Sequence, residues 1–259
     1  MSERQETEEE RMLLNVNGFT DEAVFSGGTV YNVLRPLLSL FMKRRKALGR
    51  RMIVLLAAPP GAGKSTLGLF MEAYARREGY PYRLKCVSID GFHYTNAQLK
   101  KMTVKRPEGM VPASSVKGSA ETFDTAALKE KLSRLRTEET VLFPYYDRKL
   151  HDPVPDAVPV NEEIVLVEGN WLLYPHFGFE TLTSLADLTV FLDADPEALT
   201  EGLIRRKVRG GMSREKAEAW VAYTDGPNIG RVREDRQAAD VLLVRAAIGT
   251  LLAKKLPEC

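Results

Sequence analysis

A chain of 259 residues can bury a full core without disulfide or metal staples, and its 37 Lys and Arg against 35 Asp and Glu leave a net charge of only +2. That balance excludes nucleic-acid binding by bulk basic charge. Two scattered cysteines (Cys86 and Cys259), no apolar run near about 18 residues and an acidic opening, MSERQETEEER, exclude a disulfide scaffold, a cysteine zinc site, a membrane span and a secretory leader, so a cytoplasmic enzyme is expected.

In chain order, residues 1–11 are predicted to be a disordered acidic arm. Residues 12–51 form an accessory element. Its MLLNVNGFTDEAVFSGG places two short apolar pieces around Asn17-Gly18, a hairpin with a longer loop than the tightest turns require. Val30, Val33, Leu34, Leu37, Leu38 and Phe41 then recur at helical spacing towards Arg51, with Pro36 expected to kink or divide the helix. Lys43 to Lys46 end that stretch, where cations suit the carbonyl end of the helix dipole.

From Met52 onward short apolar runs alternate with helical stretches. MIVLLA, RLKCVSI, EIVLVEG, DLTVFLD and DVLLV lack polar alternation, as strands buried on both faces do. Asp124 before TAALKEKLSRL, and Asp195-Pro196 before a helix over 196–208, have the residue types of helix starts. The predicted fold is α/β, a doubly wound parallel sheet over residues 52–259.

The sharpest local signal is Ala58-Pro59-Pro60-Gly61-Ala62-Gly63-Lys64-Ser65-Thr66, set between the MIVLLA run and an amphipathic helix. Strand, small-residue loop and helix in that order make a phosphate-binding loop of the P-loop NTPase fold. Gly61, Ala62, Gly63, Lys64, Ser65 and Thr66 are therefore predicted to hold the phosphates of ATP, with Lys64 on the β- and γ-phosphates and the Ser65 hydroxyl on Mg²⁺. Ala58 stands where the motif usually has its first glycine, which requires a negative φ there.

Asp90 follows an apolar run and opens Asp90-Gly91-Phe92-His93-Tyr94. A carboxylate at the carboxyl end of a parallel strand faces the ligand crevice, where it can take a proton from an attacking hydroxyl; a capping role is the alternative. Glu168 closes IVLVE beside the loop strand and suits Mg²⁺, against the alternative of a surface strand end. Arg205, Arg206, Lys207 and Arg209 precede Gly210-Gly211 and a second helix from Ser213. That segment, about 205–214, is predicted to be a small helical lid whose arginines bind ATP, at least one of the four cations being merely solvated.

The ordered set AAPPGAGKST, DGFHY, KGSAETFD, YDRKLHDP, VEGNWLL and RRKVRGG resembles the P-loop kinases of the uridine kinase, phosphoribulokinase and pantothenate kinase superfamily, over about Met52 to Val244. The resemblance implies phosphorylation of a small-molecule hydroxyl acceptor by ATP, with Asp90 as base and Ser65 and Glu168 near Mg²⁺. It also implies Tyr146 and His151 as acceptor contacts, joined by His93 and Tyr94; the alternatives are a surface loop histidine for His151 and an aromatic that simply packs after the buried strand. Neither nucleic acid nor membrane is expected as a partner, and a homodimer is left open. Two other readings are a nucleotide-hydrolysing regulatory switch and a non-catalytic nucleotide-binding regulator. The first lacks a guanine-reading NKxD segment, and the intact Lys64, Asp90 and Glu168 argue against the second.

Overall fold

The computed structural model describes residues 8–16 and 18–257. Most of the acidic arm, residues 1–7, lies outside them, and its last residues are already β-structure. Strand β1 (Glu10–Val16) pairs antiparallel with β2 (Phe19–Phe25). Val16 faces Phe19 across the turn, so the connection is two residues rather than the longer loop expected. Gly18, at φ 84°, supplies the left-handed conformation that so short a turn demands.

A helical stretch follows, ending in α1 (Arg35–Leu48). Over Val30–Leu34 the ladder widens to a π-turn, and the Arg35 N–H reaches the Val30 carbonyl. Pro36 lies just beyond and has no N–H to give, so widening of the ladder takes the place of the expected break.

All the predicted strands form: β3 (Met52–Ala57), β4 (Leu84–Ser88), β9 (Ile164–Gly169), β10 (Leu188–Ala194) and β11 (Val241–Ala247). Hairpins β5 (Thr103–Arg106) with β6 (Gly109–Pro112), and β7 (Val141–Asp147) with β8 (Asp152–Val160), occupy the polar insertion. The main sheet runs β12-β11-β10-β3-β9-β4, parallel except for the edge strand β12 (Thr250–Lys255).

Alternate side chains of β3 enter two different cores. Met52, Val54 and Leu56 pack with α1, with α2 (Lys64–Arg77) and with α4 (Pro196–Arg209). Ile53, Leu55 and Ala57 pack with α3 (Thr125–Arg134), β7 and Trp171. Two covered faces explain why the strand carries no polar alternation.

Both predicted caps are made. The Asp124 carboxylate accepts from the Ala127 N–H, and Asp195 accepts from Glu197 and Ala198 ahead of Pro196. Helices α5 (Arg214–Trp220) and α6 (Gly226–Glu234) follow α4 and are joined by a π-turn over Val221–Asp225. Among the described residues, no helix is long and apolar enough to cross a membrane.

Candidate active site

The loop between β3 and α2 is fixed by its own backbone. Gly61 and Gly63 sit at φ 84° and 93°, where a side chain would be strained, whereas Ala58 is buried at a φ that is not positive and needs no glycine. A Cβ on Gly61 would also lie 3.0 Å from the Leu199 carbonyl oxygen of α4, so the helix predicted to carry the lid packs directly on the loop. Arg245, from β11, donates to the Gly61 and Ala62 carbonyls at 3.0 and 3.2 Å. It thereby constrains peptide groups whose N–H donors make such a loop an anion cradle.

Lys64 and Ser65 open α2, and both side chains meet Glu168. The Ser65 hydroxyl donates to Glu168 Oε1 at 2.9 Å, and Lys64 Nζ stands 4.0 Å from Oε2. Glu168 is buried at the end of β9, which removes the surface alternative. Its Oε2 has no hydrogen-bond partner among the described residues. Removal from water pushes this carboxyl above its ordinary value, and Lys64 only partly opposes the shift. A buried, orphaned carboxylate oxygen beside a serine hydroxyl is the donor set a phosphate-bound Mg²⁺ requires. No cluster of three or more His, Cys, Asp or Glu that could hold a metal unaided occurs among the described residues.

Asp90 lies in a short helical turn after β4, where its N–H is received by the Ser88 hydroxyl at 3.2 Å. Arg148 Nη2 donates to Asp90 Oδ2 at 2.6 Å. Burial would raise the Asp90 carboxyl, but His93, Arg148, Lys64 and Arg206 outweigh it and hold the group below the usual carboxylate range. A Cβ on Gly91 would collide with the Pro144 carbonyl, so only glycine lets β7 approach here. The resulting cavity, about 370 Å³, is lined among others by Ser65, Ser88, Asp90, Tyr146, Arg148 and Glu168.

The remaining predicted site residues divide. Half-buried Tyr146 lines the cavity, and its ring lies 5.5 Å from that of His93. His93 bonds through Nδ1 to the Asp90 carbonyl at 2.8 Å and rests on Phe123 at 3.9 Å.

His151 does not join them. It occupies the β7–β8 turn at φ 54°, its side chain is exposed, and its carbonyl receives Asn96 and Lys117. A tight turn turns the imidazole outward and leaves the backbone to make the contacts. Tyr94 packs instead with the small apolar cluster of Leu99, Val104, Ala113 and Val116.

Arg205 and Arg206 are exposed on α4, Arg206 within electrostatic reach of Asp90 and Arg148. Arg209 is engaged elsewhere: both its terminal nitrogens donate to Asp21 of β2, at 2.7 and 2.8 Å. Lys207 pairs with Asp225 at 3.2 Å.

Sequence reasoning missed Arg148 and Arg245. Arg148 stood in view two residues after Tyr146, whereas Arg245 carries no local signal because its partners are backbone carbonyls over 180 residues away. A second cavity of about 600 Å³ includes Arg106, Glu121, Tyr223 and Arg231 in its lining. There Glu121 is paired with Arg106 and Arg231, both at 3.1 Å, and neither the loop nor the two site carboxylates line it.

The profile of the phosphoribulokinase / uridine kinase family matches residues 53–243. An Escherichia coli (strain K12) chain named "Uncharacterized protein YggC" is 39% identical over 231 residues, covering 89% of this chain and 93% of that one. A pantothenate kinase of Levilactobacillus brevis is 27% identical over 158 residues, 60% of this chain and 48% of that protein. Among solved structures, a "putative fructose transport system kinase" from Silicibacter sp. TM1040 superposes with a TM-score of 0.66 at 29% identity, covering 74% of this chain and 89% of that one.

Proposed function

Because the chain belongs to the phosphoribulokinase / uridine kinase family, we propose that it transfers the γ-phosphoryl group of ATP to a hydroxyl of a small polar metabolite. The observation that carries this is the convergence of Ser65, Asp90 and Glu168 on one cavity, with Lys64 beside Glu168. Lys64 and the loop N–H groups hold the transferring phosphates. Mg²⁺, when held by Ser65 and Glu168, supplies neutralisation of the charge on those phosphates.

Asp90 orients the acceptor hydroxyl and takes its proton. Its depressed basicity suits a loose phosphoryl-transfer transition state, in which positioning counts for more than early proton removal. Arg148, donating to Asp90 Oδ2 at 2.6 Å, holds the carboxylate that receives the acceptor hydroxyl. Tyr146 and His93 border the acceptor, while Arg205 and Arg206 face the transferring group from α4.

Relatives' names supply a first panel of acceptors: uridine, pantothenate and fructose. The test is ADP release with and without each of these, extended to other nucleosides and sugars. Stimulation by an acceptor, lost in Lys64→Ala, supports the reading. ATP hydrolysis indifferent to every acceptor would favour a nucleotide-driven switch instead.

A further inference from the structure

The N-terminal hairpin meets the candidate site at points the proposed reaction leaves unused. Its turn sits on Arg148, the residue paired with Asp90: a Cβ on Gly18 would lie 3.8 Å from the Arg148 Cβ. Asn15 and Gly18 both line the 370 Å³ cavity that holds Ser65, Asp90 and Glu168. On β2, Asp21 receives both terminal nitrogens of Arg209, whose guanidinium also covers the Phe19 ring at 4.8 Å. The hairpin thus touches the partner of the base, the cavity wall and the helix that carries Arg205 and Arg206.

A two-stranded ribbon is marginal alone, so its placement depends on its root. That root is fixed in three ways. Phe25 packs edge-on against Phe70 of α2 at 4.6 Å, Glu10 pairs with Arg77 at 2.8 Å, and the Ser26 N–H donates to the Gly249 carbonyl at 2.9 Å. Held there, the turn is delivered to the cavity in a defined position.

We propose that this hairpin is the acceptor-selecting wall of the active site, with the Asn15 amide as a direct contact to a polar, hydroxyl- or carbonyl-bearing acceptor. Asn15 is exposed, and none of the hydrogen bonds among the described residues engages its side-chain amide. An amide can both donate and accept, as recognition of a polyhydroxylated molecule requires. The Asp21–Arg209 pair sets where the wall stands relative to α4. Both partners are about half exposed, so the tie is weak enough to yield when the helix moves.

The inference rests on the kinase reading, and its test separates the two. Asn15→Ala and Asp21→Asn change exposed side chains away from the core. Each is compared with the unaltered protein in acceptor-dependent ADP release, with a deproteinised small-molecule extract and then uridine, fructose and pantothenate as probes. The expected result is a rise of at least threefold in the acceptor concentration giving half-maximal rate in Asn15→Ala. A smaller rise in the same direction is expected in Asp21→Asn, with KM for ATP within twofold in both. An unchanged acceptor response in Asn15→Ala, or equal shifts in the two KM values, would overturn the wall while the kinase reading stood. If the unaltered protein responded to none of the probes, the kinase reading itself would fall and the inference with it.

Discussion

Asp90 and Glu168 are two carboxylates of one cavity whose surroundings push them in opposite directions. Asp90 stays ionised because cations surround it, so Asp90→Asn removes a positioned acid–base group at little electrostatic cost to nucleotide binding. The expected loss in kcat is roughly 10²–10⁴-fold, with KM for ATP nearly unchanged; a variant that lost nucleotide affinity alone would make Asp90 a metal or structural residue. Glu168 is raised by desolvation, so the folded protein binds more protons than the unfolded chain in the window between the ordinary carboxylate value and the raised one. Stability of the ligand-free protein therefore falls as pH rises through that window. Glu168→Gln keeps an oxygen for the Ser65 hydroxyl and removes the charge. It should melt no lower than the unaltered protein at neutral pH, with an advantage that shrinks on acidification, yet lose the stabilisation that MgATP gives. A lower melting temperature at neutral pH would show the Lys64–Glu168 pair to be holding the fold. Tyr146 and His151 should also separate: Tyr146→Phe removes a hydroxyl bordering the acceptor, worth about 1–3 kcal/mol if left unpaired, and raises the acceptor KM about tenfold by that estimate. His151→Ala, at an exposed turn that uses its carbonyl, leaves the acceptor KM within twofold; equal effects in both variants would return His151 to the site.

At the scale of elements, what the sequence disclosed follows from how local each cause is. β3 was legible because both its faces are buried, and α3 and α4 because their caps are contiguous with them. The phosphate loop was legible because its constraint, positive φ at Gly61 and Gly63, is written in the same residues. The hairpins β5–β6 and β7–β8 were not, since Pro, Gly and charged residues make them look like loop, and β7 earns its place by packing Phe143 into a distant core. Arg209 illustrates the limit within the lid segment. In sequence it is one of four neighbouring cations, and only the fold reveals that Asp21, 188 residues away, holds it. Among the described residues of the hairpin none forms a hydrogen bond or ion pair with Arg205 or Arg206, which lie about one turn before the Gly210-Gly211 pair. Backbone amides of residues 205–211 should therefore exchange faster without nucleotide and slow when a non-hydrolysable MgATP analogue binds. Equal exchange in the two states, measured by mass spectrometry, would make this segment an ordinary solvated helix end.

For the whole molecule the question is whether residues 12–51 are an accessory, as their sequence suggested, or part of the folding unit. Phe25, Val30, Leu34, Leu38 and Phe41 are buried in the same apolar cluster as Val54 and Leu56 of β3, Phe70 of α2 and Leu203 of α4. Without this segment one face of the sheet would lie open, and so would the side of α2 that orients the phosphate loop. The two cores are in turn joined through β3, whose alternate residues belong to one or the other. Damage in the N-terminal helix should therefore be felt on the far face of the sheet. Phe41 is fully buried, and Phe41→Ala should cost about 3–5 kcal/mol through lost burial and a residual cavity. At this chain length that corresponds to a drop in Tm of very roughly 10 °C, taking about 2–4 °C per kcal/mol. The informative probe is Trp171, completely buried in the other core. In a Trp220→Phe background, which leaves Trp171 as the lone indole of the two in the sequence, its fluorescence transition in a denaturant titration should shift to lower denaturant together with the far-ultraviolet circular dichroism, as a single cooperative unit requires. A Trp171 transition that stayed in place while helical signal was lost early would show the segment unfolding on its own, and would restore it to an appendage.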